Sequence, residues 1–154
     1  MVNPEKLGSS KTASVSALAK KYNAVIAING DNYVDKPEKT TFEYRMTNKI
    51  RSKTNRTKDI LVIDDQGDFH LFPKSQGIKE FPNELKKMDR KLVNAFTFGP
   101  ALVIDGELME IDENYGYNPH GREPRAAIGQ MGPLSYVLVV VEAKDRSGSS
   151  GFSQ

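Results

Sequence analysis

Apolar and polar positions along this chain recur on short periods that change every ten to fifteen residues. Residues 12–22 set Val15, Leu18, Ala19 and Tyr22 three and four apart, which predicts a short helix with Ser9, Ser10 or Thr12 as N-cap. The apolar run Ala24, Val25, Ile26, Ala27 and Ile28 follows, predicting a buried strand closed by the polar turn Asn29-Gly30-Asp31-Asn32. Residues 47–58 are polar, carry five basic side chains and show no period; they read as an exposed strand and loop. Ile60 to Ile63 and Asp68 to Phe72, joined through Asp64-Asp65-Gln66-Gly67, give a β-hairpin pattern.

A second helix is predicted over residues 81–92, with Asn83 as cap and Leu85, Met88 and Leu92 as its apolar stripe. Beyond Gly99 and Pro100, an apolar strand over 101–104 turns back at Asp105-Gly106 into Glu107, Leu108 and Met109. The polar stretch 112–123 is about as long as loops become without a function. Two last strands, over 125–130 and 136–141, flank Met131-Gly132-Pro133-Leu134. Some eight strands with two to three flanking helices imply an α+β fold, its β-sheet largely antiparallel or mixed.

Composition narrows the function classes. The 154 residues fit a single domain, 1–154, with one core. Net charge is only +2, from 22 Lys+Arg against 20 Asp+Glu, which argues against a nucleic-acid partner despite the basic residues between Lys49 and Lys58. With no cysteine, neither a disulfide framework nor a thiolate zinc site can form. The longest apolar run, from Tyr136 to Val141, is too short to span a membrane. Scattered Asp and Glu could take a divalent cation, yet no spacing demands a metal, and no cofactor is expected.

Four segments, in order, resemble the phosphodiester glycosidase family, that of the uncovering enzyme, N-acetylglucosamine-1-phosphodiester alpha-N-acetylglucosaminidase. They are the strand ending in Asn29-Gly30-Asp31-Asn32-Tyr33; Phe98-Gly99-Pro100 through Asp105-Gly106; Glu123-Pro124-Arg125-Ala126-Ala127-Ile128-Gly129; and the Val-rich strand to Glu142 followed by Ser150-Gly151-Phe152-Ser153. Three features depart from the family pattern. Asp31 stands where a second glycine is usual, Glu142-Ala143 replaces Asp-Gly, and the family's Asn-Leu-Asp-Gly-Gly-Gly-Ser segment is not found. The resemblance therefore implies a domain incomplete at its C-terminus, with a second chain or a cleaved C-terminal fragment as the expected partner completing it.

What the resemblance implies is hydrolysis of a sugar-1-phosphodiester, with a phosphorylated glycan as substrate, in a bacterial surface polymer outside the cell. A non-catalytic cell-wall polysaccharide-binding module is the alternative. The leaving group is a phosphate monoester whose second pKa is about 6, so it departs with little help from a general acid. The chemistry then calls for cationic donors on the phosphate and a negative or nucleophilic group at the anomeric carbon. Arg125 is the first candidate for the phosphate, because its planar fork grips two oxygens at once. Asn29 and Asp31 are the other candidate catalytic residues, Asn29 as a donor and Asp31 as a charge near the anomeric carbon; a plain turn accounts for both equally. Gly30, Gly99, His120, Glu142 and Ser150 are candidate substrate-binding residues, each with a structural reading beside it: turn, site wall, exposed loop, solvated strand end and flexible linker. His70, in a hairpin strand, reads as structural.

Overall fold

The computed structural model describes residues 13–30, 41–45, 47–53, 58–74, 81–97, 99–113, 115 and 123–142, with the backbone alone for 41–45, 48–53, 81 and 82. Helix α1 (Val15–Lys21) starts where the Ser14 hydroxyl accepts the Ala17 amide at 3.1 Å. The cap is thus Ser14, the residue directly before the first helical position, and not Ser9, Ser10 or Thr12. At the other end Asn23 takes a left-handed conformation (φ 49°), with Ala24 N donating to Ala19 O and Asn23 N to Lys20 O. This paired arrangement satisfies the last carbonyls and stops the helix.

Strands β1 (Thr41–Arg45), β2 (Asn48–Lys53), β3 (Ile60–Asp64), β4 (Phe69–Phe72) and β5 (Leu92–Thr97) form an antiparallel sheet in the order β2-β1-β5-β3-β4. β3 lies inside it, flanked by β4 and β5, and its apolar residues are almost all buried. Ile60 and Val62 share one face by the two-residue period. They meet Ala95 of β5 and Leu85 of helix α2 (Phe81–Lys87), with Phe72 and Leu92 packed around them. Burying a side chain such as Ile60, Val62 or Leu85 contributes about 1.5–3 kcal/mol.

Two expectations are corrected here. The second helix ends at Lys87 instead of running to residue 92: Asp89 is left-handed (φ 54°), Arg90 N donates to Leu85 O and Asp89 N to Lys86 O. Leu92 begins β5, Met88 is exposed, and Asn83 lies within the helix and does not cap it. The predicted buried strand over 24–28 is not formed; Val25 and Ile26 are exposed and no strand pairs with them among the described residues. Strand preference reflects packing against neighbouring strands, and without a partner these apolar side chains have no sheet to enter.

Two further antiparallel pairs complete the described chain: β6 (Val103–Ile104) with β7 (Glu107–Leu108), and β8 (Arg125–Gly132) with β9 (Ser135–Val141). Asp105 and Gly106, both at positive φ, make the tight turn between β6 and β7. The β8–β9 hairpin docks at the start of β4. Its Gln130 accepts the Phe69 amide at 2.8 Å and donates to Asp68 at 2.9 Å, Tyr136 donates to Gly67 O at 2.8 Å, and the Tyr136 ring stacks on Phe69. The Phe69 amide, at the outer edge of the sheet, is thereby satisfied. The fold is α+β with antiparallel sheets, and among the described residues no helix is long and apolar enough to cross a membrane.

Candidate functional site

Four segments meet where β3 begins and β5 ends. Asp59, just before β3, is buried, and its carboxylate accepts the Lys74 amide through Oδ1 and the Ala101 amide through Oδ2, each at 2.7 Å. Its own amide donates to the Tyr115 hydroxyl at 2.7 Å. One aspartate thereby ties the end of β4, the turn after β5 and the loop carrying Tyr115 to the sheet. A buried carboxylate with both oxygens satisfied by amides stabilises such a junction, since either amide would be costly to bury alone. Gly99, joined to Pro100 by a cis peptide bond, lies so close to the Tyr115 hydroxyl that a methyl group there would overlap it.

Two ammonium groups gather on this junction. Lys58 Nζ lies 5.4 Å and Lys74 Nζ 5.0 Å from the centroid of the Tyr115 ring. Lys74 also pairs with Asp112. Burial lowers the Lys58 pKa, opposed by the Asp59 carboxylate and reinforced by the Lys74 charge. Burial raises the Tyr115 pKa, with the Asp59 carboxylate acting in the same direction against the hydrogen bond from the Asp59 amide, so the hydroxyl stays protonated. The corner therefore sets two lysines and two carboxylates around a neutral phenol.

A second polar cluster holds the opposite end of β3. Asp64 is buried and accepts the amides of Gln66 and Asp68 and the His70 ring nitrogen Nε2 at 3.0 Å, while Arg90 lies 3.6 Å from both Asp64 and Asp68. Burial alone would raise the Asp64 pKa, but His70 and the two amides outweigh it and hold the carboxylate below its usual range. This cluster fixes the β3–β4 turn on which the β8–β9 hairpin docks. His70 acts there through Asp64.

Arg125 opens β8 directly across from Val141, so it shares its end of the hairpin with Glu142. Gln130, the docking point, lies five positions further on, about 17 Å along the strand. Asn29 and Gly30 are exposed in the irregular segment after α1, with open space around Gly30. Gly99 belongs to the Asp59–Tyr115 junction. Asp31, His120 and Ser150 lie outside the described residues.

The family model described as phosphodiester glycosidase matches residues 22–153. The chain belongs to the phosphodiester glycosidase family. It is thus placed among glycosidases acting on phosphodiester-linked sugars. No curated protein and no solved structure matches it. Within this phosphodiester glycosidase the structure brings Arg125 and Glu142 to one hairpin end and puts Gly99 against Tyr115. The residues that sequence reasoning passed over are Lys58, Asp59, Lys74, Asp112 and Tyr115. Their only sequence signal is a charged pair, Lys58-Asp59, abutting the apolar run of β3; the rest meet only in three dimensions.

Proposed function

We propose that this phosphodiester glycosidase hydrolyses the bond between a sugar's anomeric carbon and the oxygen of a phosphodiester, acting outside the cell on a bacterial surface glycan or teichoic-acid-like polymer. The family match over residues 22–153 carries this reading. In the reaction the C1–O bond breaks, its electron pair leaves with the phosphate, and water adds at C1, releasing free sugar and a phosphate monoester. Arg125 holds two phosphate oxygens and stabilises the charge that grows on them as the bond breaks. Its position at a strand start, on the hairpin end it shares with Glu142, supports that role. Asn29 donates to phosphate or sugar hydroxyls, and Asp31 stabilises positive charge at C1, with Gly30, Gly99, His120, Glu142 and Ser150 shaping the substrate's surroundings.

The test is release of free reducing sugar from a hexose 1-phosphate methyl diester. Arg125→Ala should lower kcat/KM by roughly 10²-fold or more, the usual effect of removing one preorganised donor, with the circular dichroism spectrum unchanged. Equal hydrolysis by the variant removes the arginine from the mechanism. Binding of polysaccharide without any sugar release selects the non-catalytic binding module instead.

A further inference from the structure

We propose that Lys58 and Lys74, set against Tyr115 at the Gly99–Pro100 turn, form a phosphate-binding subsite in which the Asp112 carboxylate competes with the ligand for Lys74. The proposal rests on the hydrolase reading only for which phosphate is held, that of the glycosyl phosphodiester. The subsite itself follows from geometry.

Both ammonium groups lie within 5.4 Å of one ring centroid, and the Lys74 charge acts on Lys58. Neighbouring cations repel, and partial burial of Lys58 strips away the water that would screen the repulsion. The nearest buried carboxylate, Asp59, offsets part of the Lys58 charge, but its oxygens accept the Lys74 and Ala101 amides and it forms no ion pair with Lys58. Asp112 answers Lys74 but is itself 44% exposed, so its carboxylate is readily displaced into water. Lys58 is left facing the ring. Phosphate suits this arrangement because it carries several acceptor oxygens, letting one anion bridge two ammonium groups. The support beneath is rigid: Tyr115 is buried, hydrogen-bonded to the Asp59 amide and packed on Gly99. A ligand would therefore meet a preformed site.

Isothermal titration of inorganic phosphate into the full chain tests the subsite. Lys58→Met should weaken binding roughly tenfold or more, the usual worth of a charge-assisted hydrogen bond, while Lys58→Arg should stay near the wild type. Asp112→Asn should tighten binding several-fold by releasing Lys74, an effect that a merely structural lysine pair does not produce. Unchanged affinity in Lys58→Met, or weaker binding in Asp112→Asn, overturns the proposal; the second variant decides even where the first fails to fold. The hexose 1-phosphate methyl diester supplies the other arm. Dependence of its KM on Lys58 assigns the subsite to substrate, whereas phosphate binding with no effect on the diester refutes that assignment. Turnover with a Lys58-independent KM, together with unchanged phosphate affinity in Lys58→Met, sinks the subsite and leaves the hydrolase. Lys58-dependent diester binding without turnover sinks the hydrolase and leaves the subsite.

Discussion

Replacing Gly99 by alanine adds a single methyl group at a point where three segments touch. The new carbon would lie 3.1 Å from Tyr115 Cζ and 3.2 Å from Asp59 Cβ, and closer still to the Tyr115 hydroxyl oxygen. Tyr115 is only 5% exposed, so its ring has no open direction in which to retreat. Relief requires either the ring to shift, which breaks the 2.7 Å hydrogen bond from the Asp59 amide, or the turn to shift, which breaks the 2.7 Å hydrogen bond from the Ala101 amide to Asp59. A buried donor left without a partner costs about 1–3 kcal/mol. Overpacking a filled site costs about 1–3 kcal/mol more. The substitution should therefore destabilise the protein by about 2–6 kcal/mol, which at an m-value of about 2 kcal/mol/M lowers the urea midpoint by roughly 1–3 M. Tyr115→Phe removes the obstructing oxygen together with the acceptor, and should cost about 1–3 kcal/mol by itself. In that background Gly99→Ala should cost less than in the wild type, giving a coupling of about 1 kcal/mol or more. Urea unfolding of the four proteins in the cycle measures both quantities. A cost below about 0.5 kcal/mol for Gly99→Ala, or strict additivity, would refute the view that this junction is rigidly filled.

Two further outcomes follow from the cluster at the other end of β3. The folded pKa of Asp64 is held below its ordinary value of 3.8, so its carboxylate contributes stability that is fully present above that value and is lost as pH falls through the folded pKa. Unfolding midpoints measured from about pH 6 to about pH 2 should show a shallower acid slope in Asp64→Asn than in the wild type, and parallel slopes would remove Asp64 from the acid response. Gln130→Ala severs both of that side chain's bonds to Asp68 and Phe69, so hydrogen exchange should quicken across β8 and β9 while β3 keeps its protection. Equal protection in all three strands would show that the hairpin is held by something other than this contact.

The sequence was legible where local pattern and tertiary pairing agree. Ile60 to Ile63 and the turn to Phe69 are β-branched and aromatic residues around a glycine turn, and they form β3 and β4 in the register the turn dictates. Arg125 to Gln130 and Tyr136 to Val141 likewise lie within one hairpin. Legibility failed where an uncommon residue performs a common task. Asp89 ends α2 in a left-handed conformation usually taken by glycine, so the apolar spacing from Leu85 to Leu92 read as one long helix. It failed again over 24–28, where a strongly strand-forming composition lies exposed because strand formation needs a partner. The alternating residues of β1 carry a usable strand signal that the polar surroundings hid. At the site, Gly99 could be singled out by its motif, but its contact with Tyr115 depends on loops sixteen residues apart folding together.

Carboxylates decide how the chemistry should be sought. An ordinary glycosidase needs two of them, one protonated to assist the leaving group and one ionised. Buried carboxylates are natural candidates for the first role, since burial raises their pKa. The two buried ones among the described residues are Asp59 and Asp64, and neither is available. Asp59 spends both oxygens on backbone amides, and Asp64 is held ionised by His70 and two amides, the reverse of what a proton donor requires. Substituting either would abolish activity by releasing the segments it ties, and a loss of turnover alone would be mistaken for lost catalysis. A phosphate leaving group removes the need for such an acid, because it departs as a stable anion. On the proposed function the chemistry falls to cations on the phosphate, where Arg125, Lys58 and Lys74 are the groups to test, and to a carboxylate near the anomeric carbon, for which Asp31 is the candidate.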